Sequence, residues 1–217
     1  MIKAVFFDCD GVLVDSERLH QQLNGEFVRK YHLGIDPEEF YIMVGSSRQM
    51  NLWPRIYEKL TTDWTIEEFI ENLRLYKAER VKNSTFADIL FPDVPPALEF
   101  LKGRGMKIAC ASSSAADYIQ RMMDQCAIGS YFDLAVTGLD FEKSKPAPDI
   151  YLYCREKFGL KSEECLVIED SPYGIDAALA AGMPVLARRD TLFGMDQSRA
   201  TRIIDSLQEI PAFLEEG

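Results

Sequence analysis

Residues 4–17 read AVFFDCDGVLVDSE. Ala4–Phe7 offers no polar face to water, which a strand tolerates only where its sheet is covered on both sides. The run then meets Asp8 and Asp10, one residue apart, followed by Gly11. Alternate side chains on an extended strand face the same way. The two acids therefore address one place at the strand's carboxyl end, and Cys9 turns into the core. That combination predicts a buried parallel strand presenting carboxylates at a sheet edge.

The rest of the chain extends this reading. From about residue 94 helical and apolar extended segments alternate. A helix at VPPALEFLKGRG precedes a strand at MKIACAS, and a helix near 115–126 precedes LAVTG. A helix near 148–158 precedes ECLVIED, a helix near 173–181 precedes MPVLA, and a last helix lies near 206–215. Strands apolar at nearly every position, separated by amphipathic helices, predict an α/β fold with a Rossmann-like parallel sheet. Residues 16–86 interrupt the alternation and contain no convincing strand. Helices are expected there near 16–31, 37–43, 47–60 and 65–83, the last opened by Thr65 and Glu68 at capping-box spacing. The expected organisation is a core of residues 1–15 and 87–217 with a helical cap of residues 16–86 inserted after the first strand. Such an insert lies over the carboxyl ends of the strands, where open parallel sheets bind ligands.

The chain has 217 residues and a formal charge of −11. That deficit argues against nucleic acid or an anionic membrane as partner. It does not argue against a small anionic substrate, because a metal ion and a few cations reverse a local field. No apolar stretch approaches the roughly 20 residues that span a bilayer, and the N-terminus makes a poor signal peptide. Cys9, Cys110, Cys126, Cys154 and Cys165 form no CxxC pair, and the histidines are only His20 and His32. They read as buried free thiols of a cytoplasmic protein.

Polar groups converge at the predicted strand ends: Asp8 and Asp10, Ser112, Lys145 in SKPAPD, and Glu169 with Asp170 in LVIED. Singly, a strand-end aspartate is an ordinary cap and a loop lysine an ordinary solvated charge. Four such positions at one sheet edge are not ordinary. Carboxylates crowded in a cleft repel one another unless a cation joins them. Hard oxygen donors without histidine or paired cysteine favour Mg²⁺, which keeps sites for water and phosphate. Lys145 adds positive charge, the Ser112 hydroxyl can donate to a phosphate oxygen, and Gly11 leaves room for a phosphoryl group near the backbone.

FFDCDGVLVDSE, ACASSS, KSKPAPDIY and VIEDSPYGIDAALAAGM resemble, in order, the four motifs of the haloacid dehalogenase-like hydrolase superfamily. The branch most similar contains β-phosphoglucomutase and phosphoglycolate phosphatase-like enzymes. The resemblance implies that Asp8 is the nucleophile forming an aspartyl phosphate and Asp10 the general acid and base. It implies Mg²⁺ held by Asp8, the Asp10 backbone carbonyl and Asp170, with Glu169 joining directly or through water. Ser112 and Lys145 match the phosphate-holding pair, Ser113 and Ser114 are possible assistants, and Ser114 is equally well placed as a helix cap. Asp15 reads as a turn or capping residue.

Substrate choice in this family comes largely from the cap, where His20, Arg48 and Lys77 are the candidates. Ala115 stands where the mutase-like motif carries a lysine. The implied function is a Mg²⁺-dependent phosphatase of a small phosphorylated metabolite, a sugar phosphate or a phosphoglycolate-like ester. The alternatives are a phosphosugar mutase and a non-catalytic binding protein that retains the fold. A monomer or weak dimer is expected.

Overall fold

The computed structural model describes residues 1–46 and 51–216. Six strands form one parallel sheet: β1 (Ala4–Phe7), β2 (Lys107–Ser112), β3 (Leu134–Thr137), β4 (Cys165–Glu169), β5 (Val185–Arg188) and β6 (Arg202–Ile204), in the order β3-β2-β1-β4-β5-β6. β1 lies between β2 and β4, with Phe7 opposite Cys110 on one side and Ile168 on the other. The chain order reverses at β1, which is the topological point where such sheets open a crevice.

The two faces of β1 are divided as the pleat dictates. Val5, Phe7 and Cys9 enter one layer with Leu98, Ile108 and Met122. Ala4 and Phe6 enter the other with Tyr151, Cys154 and Ile175. Helices α4 (Val94–Gly103), α5 (Ala116–Gln125) and α8 (Ile210–Glu216) supply the first layer. Helices α6 (Asp149–Phe158) and α7 (Pro172–Ala180) supply the second. All five cysteines are free and buried.

Between β1 and α4 come α1 (Ser16–Lys30), a 3₁₀ helix over Pro37–Met43, α2 (Trp53–Tyr57) and α3 (Ile66–Val81). Phe27, Phe40, Ile56, Phe69 and Leu73 give them a hydrophobic cluster of their own. The chain segments entering and leaving this block run side by side. Asp15 N–H donates to Ile89 O at 2.8 Å, and Phe91 N–H donates to Leu13 O at 3.1 Å.

Three elements differ from the sequence reading. The expected helix over 37–43 is 3₁₀, its start set by Pro37 and by Asp36, whose carboxylate accepts from Glu38 N–H at 3.0 Å. Of the helix expected over 47–60, the described part is only Trp53–Tyr57; Asn51 has φ +43°, which no helix accommodates. β6 was not foreseen because Arg202–Ile204 is a three-residue edge strand with little alternation. The predicted Thr65–Glu68 capping box is present in both directions.

Candidate active site

β1 delivers Asp8 and β4 delivers Glu169 to adjacent positions at the carboxyl edge of the sheet. Lys145, from the loop before α6, lies between them. Its Nζ donates to Asp8 Oδ1 at 2.6 Å, Glu169 Oε1 at 2.6 Å and Ala111 O at 2.9 Å. The amine is 6% exposed, so its three protons are fully spent on these acceptors. Burial acts to lower the Lys145 pKa, but the charges of Asp8 and Glu169 outweigh it and hold the amine well above the ordinary lysine value.

Glu169 is engaged at both oxygens. Tyr151 Oη donates to Oε1 at 2.8 Å; the amides of Asp170 and Ser171 donate to Oε2 at 3.0 and 3.3 Å, and Ser171 Oγ at 3.3 Å. Burial acts to raise its pKa, but Lys145 and the remaining donors outweigh this and hold the carboxyl below its usual value. Asp8 and Asp170 lack comparable compensation. Burial, with the charges of Glu169 and Asp10 adding and Lys145 opposing, pushes Asp8 up to about 8. Burial, with Glu169, Asp8 and Glu17 adding, pushes Asp170 well above the carboxylate range.

Carboxylate oxygens of Asp8, Glu169 and Asp170 lie within 4.8 Å of one another. Buried oxygen donors at that spacing, two of them unable to ionise easily alone, fit a hard divalent cation. Because Glu169 already accepts five bonds, Asp8 and Asp170 are the more available ligands.

Asp10 faces another set of groups. Ser16 Oγ and Tyr118 Oη donate to Oδ1 at 2.5 and 2.7 Å, and Ser114 Oγ donates to Oδ2 at 2.7 Å. Three hydroxyls, one from the first turn of α1 and two from the β2–α5 region, thus fix one carboxylate. The carboxylates border a cavity of about 550 Å³, which residues of α1 and Lys77 of α3 also line.

A family model described as haloacid dehalogenase-like hydrolase matches residues 2–182. The chain is a haloacid dehalogenase-like hydrolase. It is 29% identical over 218 residues to a phosphorylated carbohydrates phosphatase of Thermotoga maritima, covering 100% of this chain and 92% of that one. It is 27% identical to a phosphoglycolate phosphatase of Aquifex aeolicus, covering 83% and 82%. Its fold matches a crystal structure of β-phosphoglucomutase from Clostridium difficile with a TM-score of 0.76, at 24% identity over 100% and 96% of the two chains.

The hydrolase brings Asp8, Asp10, Ser112, Ser113, Lys145, Glu169 and Asp170 to one cavity, together with His20 and Lys77 from the helical block. His20 borders the cavity and keeps exposed surface; burial and Lys77 push its pKa down to about 4, with Asp10 opposing. Arg48 lies outside the described residues. Gly11 has φ +76°, and a Cβ there would come within 2.0 Å of Asp170 Oδ2. Its N–H already donates to Val14 O at 2.9 Å. The neighbour for which this glycine makes room is therefore the Asp170 carboxylate. Ser114 is not the cap of α5, a position Ala115 holds without a side-chain bond. Asp15 is at the N-cap position of α1 without a capping bond and pairs with Arg18 at 2.9 Å.

Sequence reasoning missed Tyr118, Tyr151, Gly174 and Gln197. A Cβ at Gly174 would fall 1.7 Å from Glu169 Oε1. Gln197 Nε2 donates to Asp170 O at 2.6 Å, tying the loop after β4 to the segment after β5. Tyr151 carried a signal, a hydroxyl on the apolar face of α6; the others are visible only in three dimensions.

Proposed function

We propose that the chain is a Mg²⁺-dependent phosphatase of a small phosphorylated metabolite, working through an aspartyl phosphate on Asp8. The observation that carries this reading is Lys145, buried and bonded at 2.6 Å to both Asp8 and Glu169, beside Asp170. A lysine so placed holds one Asp8 oxygen still and leaves the other without that bond.

In the first half-reaction an Asp8 oxygen bonds to phosphorus as the ester P–O bond breaks. Asp10 gives its proton to the leaving oxygen. In the second half a water oxygen bonds to phosphorus, its proton passes to Asp10, and the Asp8–phosphorus bond breaks. Inorganic phosphate leaves and both aspartates are restored. Ser112 is placed to donate to a phosphoryl oxygen, and Lys145 orients Asp8 and adds positive charge, reaching a phosphoryl oxygen only by exchanging one of its three present bonds. Asp8, the Asp10 carbonyl and Asp170 would hold Mg²⁺, which when bound would supply positive charge to the phosphoryl oxygens. Glu169 acts on Lys145, since its oxygens are already engaged.

The similarity to phosphatases of phosphorylated carbohydrates and of phosphoglycolate supports a small ester as substrate. We assign residues 16–86 as the cap over a core of residues 1–15 and 87–217, with the paired segments around Leu13–Asp15 and Ile89–Phe91 as hinges. Ala115, at the start of α5, offers no cation to a second phosphate, which favours hydrolysis over mutase chemistry.

The test is turnover of p-nitrophenyl phosphate and a sugar phosphate panel, with phosphate release measured against Mg²⁺. Turnover abolished by chelation and by Asp8→Asn is expected. Isomerisation of glucose phosphates with little phosphate release would replace this reading with a mutase. Turnover persisting in Asp8→Asn would remove the nucleophile assignment.

A further inference from the structure

Asp170 lies between two regular elements, since β4 ends at Glu169 and α7 begins at Pro172. Neither element takes up its carbonyl. The β4–β5 ladder ends with Glu169 opposite Ala187. At the helix, the N–H of Gly174, four residues on, donates to Ser171 Oγ at 3.0 Å instead of to Asp170 O. A buried backbone carbonyl left without a donor is costly, and Gln197, from the segment after β5, supplies the donor.

Gln197 is 5% exposed and uses its amide in three directions. Nε2 donates to Asp170 O and to Arg188 O, each at 2.6 Å, and Oε1 accepts from Asp190 N–H at 2.9 Å. Backbone carbonyls only accept and a backbone N–H only donates, so the orientation of this amide is fixed. A carboxylate in its place would face two carbonyl oxygens. One planar group thus bridges the two chain segments that leave the sheet after β4 and β5. The second of these is itself tightly wound, because the Asp190 carboxylate accepts from the amides of Leu192, Phe193 and Met195.

The restraint falls on both sides of the Asp170 Cα. Its N–H donates to Glu169 Oε2 at 3.0 Å, and its carbonyl accepts from Gln197. Both flanking peptide units are therefore held, and only the side-chain torsions stay free. That matters because the carboxylate oxygens of Asp8, Glu169 and Asp170 lie within 4.8 Å of one another. Like charges so close repel, and an acid on an unrestrained loop would withdraw. Groups that orient a metal ligand set metal affinity nearly as strongly as the ligands do.

We propose that Gln197 is a positioning residue for the metal site: its bond to Asp170 O keeps the Asp170 carboxylate beside those of Asp8 and Glu169, and so sets the affinity for Mg²⁺. Gln197 touches neither the reacting atoms nor the cavity. The inference rests on the Mg²⁺-dependent reading above.

The experiment measures the Mg²⁺ dissociation constant of the full chain by titration calorimetry, and the Mg²⁺ dependence of p-nitrophenyl phosphate turnover. Gln197→Glu keeps the size and replaces both N–H donors with an acceptor; Gln197→Met keeps the length without either. Each should weaken Mg²⁺ binding by about 10-fold or more, the effect usual for losing a partner that orients a ligand. At saturating Mg²⁺, kcat should stay within about 3-fold of wild type, since no interaction of the transition state is removed. Leu101→Ala truncates a buried side chain of α4, which does not line the cavity, and should lower Tm with Mg²⁺ affinity unchanged. Hydrogen exchange of the wild type needs no variant. Mg²⁺ should slow exchange of the Asp190 amide, which donates to Gln197, more than that of the α4 amides. Unchanged Mg²⁺ affinity in both Gln197 variants overturns the proposal, as does an equal loss in Leu101→Ala. Should neither Gln197 variant fold, the exchange of Asp190 decides, and slowing no greater than in α4 overturns the proposal. If wild type binds Mg²⁺ and the Gln197 variants bind it equally well, the phosphatase reading stands and only the positioning role fails. If wild type binds no Mg²⁺, the metal-dependent reading fails and this role fails with it.

Discussion

Replacing Gly174 by alanine sets two physical rules against each other. Gly174 is in the first turn of α7, and its N–H donates to the cap Ser171 Oγ at 3.0 Å. Helix propensity alone predicts that Gly174→Ala stabilises by about 1 kcal/mol. The new Cβ would lie 1.7 Å from Glu169 Oε1, 1.8 Å from its Cδ and 2.2 Å from Oε2. Carbon contacts settle near ~3.5–4.0 Å, so the carboxylate must withdraw by about 2 Å. Its bond to Lys145, at 2.6 Å, does not survive that displacement. Losing one partner of a buried ion pair costs roughly 3–5 kcal/mol, which leaves a net loss of about 2–4 kcal/mol. With a urea m-value of about 2.5 kcal/mol/M, the midpoint should fall by roughly 0.8–1.6 M. Lys145 loses one anchor, so kcat should also fall by about 10-fold or more. Gly103→Ala is the internal control. Gly103 ends α4 with nothing within 4 Å of the built Cβ, and its substitution should stabilise by about 0.5–1 kcal/mol. If Gly174→Ala proves neutral or stabilising like the control, the packing of Glu169 under α7 does not govern the site.

Asp93 accepts from Arg188 Nη2 at 2.7 Å, Ser206 Oγ at 2.8 Å and Leu207 N–H at 2.9 Å. Burial acts to raise its pKa, but Arg188 and the Leu207 amide outweigh this and lower it; its stabilising contribution is therefore complete above about pH 4 and lost as pH falls through the folded value. Asp93→Asn should cost roughly 3 kcal/mol at pH 7 by urea denaturation, with the gap to wild type closing below pH 4; a gap that persists in acid contradicts the assignment. Tyr118→Phe removes one of the three hydroxyls on Asp10 and should lower kcat/KM by about 10-fold, the worth of a hydrogen bond to a charged group; unchanged kinetics would mean the bond plays no part in turnover. Mg²⁺ at about 100 times its dissociation constant should stabilise by about 2.7 kcal/mol and raise Tm by roughly 5–10 °C. EDTA should reverse the rise and Asp170→Asn should abolish it.

The core and the positions of its acids were legible because both depend on short-range patterns. Ala4–Phe7 and Cys165–Ile168 are unbroken apolar runs, and a strand wholly apolar must be interior to a parallel sheet. Once the runs align, their ends align, which brings Asp8 and Glu169 together across 161 positions of sequence. The helical block was less legible. Pro37 and Pro54 each fit either a full helix or a single turn, and only the positive φ of Asn51 shows that α2 is short. The arrangement around the acids left no periodic trace. Ser114 and Tyr118 lie 104 and 108 positions from Asp10, and nothing in their spacing names that partner. Gly174 reads as a poor helix residue until Glu169 is known to pass beneath it.

The network on Asp10 also joins two parts of the molecule mechanically. Ser16 begins α1, immediately after the clamp formed by Asp15 N–H with Ile89 O, so its hydroxyl belongs to the helical block. Ser114 and Tyr118 belong to β2–α5 of the core. One carboxylate thus bonds to both the helical block and the sheet-bearing part. Further contacts cross the same boundary. A Cβ on Gly45 would come within 2.4 Å of Ser171 Cβ, and Tyr41 meets the ring of Phe193 edge-on at 5.1 Å. Ser171 in turn donates to Glu169, which holds Lys145. Displacing the helical block would therefore strip Asp10 of one donor and loosen the packing on Ser171 together. Asp10 and the loop that supports Lys145 therefore share a dependence on the position of the helical block, so under the proposed mechanism a substrate that fills the cavity would assemble both at once.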